Sequence, residues 1–123
     1  MLAAAPTSLA TAREFTRDAL RRWNLSECCA DTLVVVNELV TNAIVHGEGP
    51  VTLTLTLHDP LLHVVVRDLS PGRPASESLT NERTSGRGLA IVEAMTSDWG
   101  YSGSADAGKD VWADIVAAAV TDR

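Results

Sequence analysis

The feature that most narrows the fold is a change of hydrophobic period near residue 50. Residues 26–47 (SECCADTLVVVNELVTNAIVHG) set Leu33, Val36, Leu39, Val40, Ala43 and Ile44 at helical spacing, behind Ser26 as N-cap and ahead of Gly47 as stop. Just beyond Gly49-Pro50, Val51, Leu53, Leu55 and Leu57 alternate with Thr52, Thr54, Thr56 and His58. A long, mostly buried helix therefore feeds a half-buried strand. Asp59-Pro60 makes a turn, and residues 61–69 (LLHVVVRDL) form a more continuously apolar hairpin partner, deeper in the sheet.

Residues 7–23 (TSLATAREFTRDALRRW) place Leu9, Ala12, Phe15, Ala19 and Leu20 near helical spacing, with Asn24 to stop an amphipathic helix. Residues 70–85 (SPGRPASESLTNERTS) hold one large apolar residue, Leu79, and predict a long surface loop of the kind that serves as a lid. Helical spacing returns over 86–97 (GRGLAIVEAMTS) through Leu89, Ile91, Val92 and Met95. Residues 99–102 and 111–118 read as closing strands around a polar turn over 103–110. The order α, α, β, β, lid, α, β, β predicts an α+β two-layer sandwich: one domain over 1–123, helices on one face of a mixed, mostly antiparallel sheet.

Lys and Arg number 10 against 16 Asp and Glu, a formal net charge of -6, which argues against a basic surface that tracks nucleic acid. An anionic ligand would have to be held by backbone N–H groups, a helix end, a metal or a few arginines. Cys28 and Cys29 are adjacent on a helix, where their side chains diverge, and read as reduced core residues. The opening residues lack a basic leader, and no later segment is expected to approach a membrane-spanning run. The expectation is a cytoplasmic protein that engages neither membrane nor nucleic acid.

Three groups carry chemistry. Glu38, Asn42 and His46 recur at i, i+4 and i+8, one polar stripe on an otherwise apolar helix. A solvated face gives the same pattern, but these are residue types that hold metal or move protons. Asp68 ends an apolar strand ahead of Pro71-Gly72, where a turn-forming Asp or a ligand-reading carboxylate would each sit. Gly86-Arg87-Gly88 opens a helix whose free N–H groups suit an anion, with Arg87 as a clamp. Trp99, Tyr101 and Trp112 read as core or sheet-edge packing, and His58 and His63 have no partners at metal-ligand spacing.

The order of these groups resembles the GHKL ATPase superfamily, and within it the small anti-sigma-factor serine kinases of Gram-positive bacteria. Residues 38–47 (ELVTNAIVHG) resemble the N box, 68–72 (DLSPG) a first glycine box, and 85–89 (SGRGL) a second. The resemblance implies the Bergerat ATP fold, with Asn42 on Mg²⁺, Glu38 as general base, Asp68 on the adenine amine, and Gly86 and Gly88 at the phosphates. His46, Gly72, Arg87 and Leu89 join the same nucleotide-binding set, and residues 70–85 become the ATP lid. It further implies transfer of the ATP γ-phosphate to a serine of a small anti-anti-sigma protein, binding of a sigma factor, and a homodimer.

Three departures accompany the resemblance. Ser70 stands where the first box has a glycine, and Gly108-Lys109-Asp110 stands where many members carry threonines behind the adenine Asp. Both lead to an expectation of weakened ATP affinity. Little room is expected before Thr7 for the leading strand common in such kinases. A rival reading is a nucleotide-sensing module that sequesters a partner without useful catalysis. A third, the catalytic domain of a sensor histidine kinase, would put the phospho-accepting histidine on another chain.

Overall fold

A computed structural model describes residues 2–69, 92–104 and 108–117, with backbone alone for 2–7, 46 and 104. The period change after residue 50 produces the hairpin β2 (Val51–His58) and β3 (Leu61–Asp68), whose buried positions alternate along each strand. Helix α1 (Leu9–Arg22) precedes a short 3₁₀ turn (Ser26–Cys28) and α2 (Cys29–His46). Strands β4 (Asp98–Ser104) and β5 (Gly108–Val116) close the chain.

A leading strand, β1 (Leu2–Thr7), is present after all and pairs antiparallel with β2, from Leu2 opposite Thr56 to Thr7 opposite Val51. Its Ala-rich sequence has a β-branched residue only at its end, Thr7, and no alternation, so nothing local announces it. Pro6 is tolerated because β1 lies at the sheet edge, where a missing N–H need not break a ladder. The strand order is β1-β2-β3-β5-β4, and all four pairings are antiparallel. Helices and sheet together make the anticipated α+β sandwich.

Ser8 caps α1 by accepting from the Thr11 N–H, and beyond the last turn Asn24 takes a left-handed φ of 62°. Ala12, Ala19 and Leu20 are buried, with Leu9 and Phe15 packed against the core, as the periodicity required. The Ser26 cap gives way to the 3₁₀ turn, and α2 starts at Cys29 without a side-chain cap. Residues 92–95 are helical, with Val92 buried and Met95 against the core. The rest of the expected third helix and the lid lie outside the described residues.

Contrary to expectation, Ser26–Val45 is long and apolar enough to cross a membrane by length and composition, at a mean hydropathy of 1.5. Only 33% of that window is buried, which also corrects the expectation of a mostly buried helix. The buried third is one stripe, Thr32, Val35, Val36, Leu39, Val40 and Ala43, and α2 packs on α1 and on β2, β3 and β5. That is how a core helix of a two-layer sandwich is used. Ile44 and Val45, on the other side, are exposed.

The strands β4 and β5 run well into the expected polar turn, β4 reaching Ser104 and β5 beginning at Gly108. Polar residues enter strands here because each meets a partner across the ladder: Arg67 opposite Asp110 and Asp68 opposite Lys109.

Deleting side-chain volume on the inner stripe of α2 should be felt far more than on its outer side. Leu39→Ala is expected to lower stability by about 3 kcal/mol, and Val45→Ala by less than about 0.5 kcal/mol; urea unfolding measures both. Burial, with smaller pushes from Cys29 and Asp31, raises the Cys28 thiol above its ordinary pKa. Because the folded value is the higher one, the linked stability is present at neutral pH and lost as pH rises through it. Alkylation of Cys28 by iodoacetamide should therefore set in at higher pH in the folded protein than in urea.

Candidate functional site

The exit of α2 and the end of β3 meet at one place. Gly47 caps α2 in an extended conformation, donating to the Ala43 carbonyl at 2.9 Å. Its role as a stop is therefore not the left-handed turn usual for glycine, which falls two residues later on Gly49 at φ 73°. What Gly47 supplies is space: a Cβ there would lie 2.5 Å from the Asp68 Cγ and Oδ2 and from the Ala43 carbonyl oxygen. The Leu69 N–H donates to the Glu48 carbonyl at 2.8 Å, which fixes strand end to helix exit.

Asp68 is 1% exposed and Lys109 3% exposed, and the Lys109 Nζ lies 3.6 Å from the Asp68 Oδ2. Asp68 therefore sits on the helix-covered face, not in an open turn. Gly108, at φ 83°, brings β5 hard against this point, since a Cβ there would be 2.5 Å from the Asp68 carbonyl oxygen. On the opposite face, Arg67 donates to the Asp110 carboxylate at 3.0 Å.

Glu38 and Asn42 are half-buried one turn apart on α2, as their spacing required. Glu38 faces a hollow of about 300 Å³ that it lines with Arg13, Leu33, Val34 and Asn37. Asn42 lies nearer the helix exit, toward Gly47 and Asp68 in sequence. His46 is the last residue of α2. Gly72, Gly86, Arg87, Gly88 and Leu89 lie outside the described residues.

Lys109 and Gly47 were not singled out as site residues from sequence, although the signal existed. Lys109 shares parity with Val111, Ala113 and Ile115, and that parity puts it on the buried face once β5 is allowed to start at Gly108. His63, which has no partner at metal-ligand spacing in the sequence, pairs with Asp114 through Nδ1, and its ring centre lies 5.7 Å from that of Trp112. That carboxylate is supplied by a strand 51 positions away, beyond any local motif.

Residues 2–115 match the histidine kinase-like ATPase domain family, HATPase_c_2. The chain belongs to this family. Membership carries an ATP-binding site with it. The anti-sigma F factors of Bacillus licheniformis and Bacillus subtilis (strain 168) are each 31% identical over 90 residues, 63% of this chain. The match takes in 62% of the length of each relative. Acinetobacter baumannii histidine kinase AdeS superposes with a TM-score of 0.58 at 16% identity, over 95% of this chain and 68% of its own. The histidine kinase domain of the Erythrobacter litoralis EL346 blue-light activated histidine kinase gives 0.59 at 20%, over 94% and 65%. These two likenesses are of fold.

The oxygen-rich donors on α2 suit a hard cation such as Mg²⁺, and the buried Asp68 under a glycine suits a ligand group that donates hydrogen bonds. Gly47→Ala should push Asp68 aside and cost about 1–3 kcal/mol. Thermal unfolding gives the stability loss, and ATP titration of the same variant should show weaker binding.

Proposed function

We propose that residues 1–123 form a single ATP-binding domain acting as an anti-sigma-type protein-serine kinase, transferring the ATP γ-phosphate to a serine of a small anti-anti-sigma protein. The observation that carries this reading is the placement of Glu38 and Asn42 one turn apart on α2, with Asp68 buried under the exit of the same helix. The likeness to the anti-sigma F factors supports the choice of partners, a sigma factor and an anti-anti-sigma protein; the same proposal has the chain act as a homodimer in the cytoplasm.

In this reading Asp68 accepts a hydrogen bond from the adenine amine. Asn42 offers its side-chain oxygen to Mg²⁺, which, when bound, neutralises charge on the phosphate oxygens. Gly72, Gly86, Arg87, Gly88, Leu89 and His46 complete the nucleotide site. Glu38, with one side open to the hollow beside Arg13, takes the proton of the incoming serine hydroxyl. The serine oxygen then bonds to the γ-phosphorus as the bond to the β–γ bridging oxygen breaks, and ADP leaves.

A second reading, a nucleotide-sensing module that sequesters a partner without turnover, is favoured by Lys109 beside Asp68 where the resemblance has threonine. Calorimetric titration with ATP, with and without Mg²⁺, addresses both. Asn42→Ala should lose the magnesium-dependent part of binding, by about tenfold or more. Glu38→Ala should bind ATP as before and transfer phosphate about 10²–10⁴-fold more slowly. If Glu38→Ala phosphorylates the partner at the wild-type rate, Glu38 is not the base, and ATP-dependent partner binding without any phosphoserine favours the sequestering module.

A further inference from the structure

The two edges of the sheet are not alike. β1 carries Pro6, whereas β4, the other outermost strand, holds neither proline nor lysine, the residues that commonly keep an edge from pairing with a further strand. Among the described residues no strand pairs with the outer side of β4. Trp112 lies against Gly100 from the neighbouring strand, so close that a Cβ there would be 2.8 Å from the ring atom Cζ2. An aromatic ring over an edge glycine helps to pin such a strand in register. We infer, independently of the nucleotide site, that the outer edge of β4 takes an extended, basic segment of a partner protein.

Between β4 and the helical turn before it lies a hollow of about 510 Å³, lined by Glu93 and Thr96 on one side and by Asp98, Trp99, Gly100 and Tyr101 on the other. Trp99 packs against the core, while Tyr101, two residues on and on the same face of the strand, is 41% exposed. Glu93 and Asp98 are exposed, and among the described residues neither is in an ion pair. Residues 92–104 hold no Lys, Arg or His that could neutralise them. The Ser97 N–H donates to the Asp114 carbonyl at 2.8 Å, which ties the bend between turn and strand to β5.

Aromatic rings and carboxylates around one hollow suit a guanidinium or an ammonium, which is attracted to both. A strand added to β4 would place every second side chain on the Trp99 and Tyr101 face. Main-chain hydrogen bonds then supply the attachment, and a basic residue over the hollow supplies the choice of partner. An acidic segment would meet Glu93 and Asp98 like against like, on a chain whose net charge is already -6.

The test is an amide-resolved NMR titration of the whole chain, without nucleotide, with a short blocked peptide of alternating arginine and threonine. Saturable binding with a Kd below about 1 mM is expected, with the amide signals of β4 shifting and those of β1 unmoved. A peptide of alternating glutamate and threonine should not bind. Tyr101→Ser, which changes no charge, should weaken the arginine peptide about threefold or more, and Glu93→Gln combined with Asp98→Asn should do the same. Circular dichroism checks that the variants fold, and the wild-type map needs no variant. The inference is overturned by the absence of saturable binding, by shifts that fall on β1 or scatter over the acidic surface, or by equal binding of the glutamate peptide. A Tyr101→Ser variant that folds and binds as well as wild type overturns it too, since attraction to net charge alone would then explain the binding.

Discussion

Where α2 ends, Gly47 lies against the Asp68 carboxylate with no room for a methyl group, and the following residue takes the Leu69 N–H on its carbonyl. These contacts fix the distance between the helix that carries Glu38 and Asn42 and the strand that carries Asp68. Gly108 makes a matching close approach from β5, and through it Lys109 is set beside the same carboxylate. Close packing of this kind transmits displacement, so side-chain volume added at either glycine would move a functional group rather than merely strain a loop.

The helices and the central hairpin were legible because their patterns answer to burial on one face. Leu53, Leu55, Val64 and Val66 had to point inward together, and a one-residue slip would have exposed them all. The stripe of Glu38 and Asn42 was legible for the same reason, since helical geometry alone sets its spacing. β1 was not legible: an Ala-rich run with a proline becomes a strand only because β2 has an edge to pair with, and that partner is some 50 positions away. The start of β5 was hidden by composition, because Lys109 and Asp110 look like turn residues until Asp68 and Arg67 are seen opposite them. His63 with Asp114 is the same case on the open face.

Helix α2 shows why apolar length alone is weak evidence for a membrane span. The middle helix of a two-layer sandwich touches both the sheet and another helix, so it carries apolar residues over much of its circumference. Here the stripe through Leu39 and Val40 is buried, the Glu38 and Asn42 side is half-buried, and Ile44 and Val45 are open at the exit. The half-buried side is where a polar ligand can be met by side chains that the fold does not otherwise need.

Family membership fixes the scaffold, and the chemistry then depends on individual side chains within it. A charged rung at the end of an apolar ladder is a poor way to gain stability, because the desolvation of both ions offsets their attraction. In the proposed site a ligand that donates hydrogen bonds accounts for Asp68; Lys109, where the resemblance has a small neutral donor, is not accounted for by that contact. The two charges are opposite in sign, buried on the same face and closed in by glycines from two directions. Removing Lys109 alone would leave a buried carboxylate without the ammonium beside it, so the two charges stand or fall together.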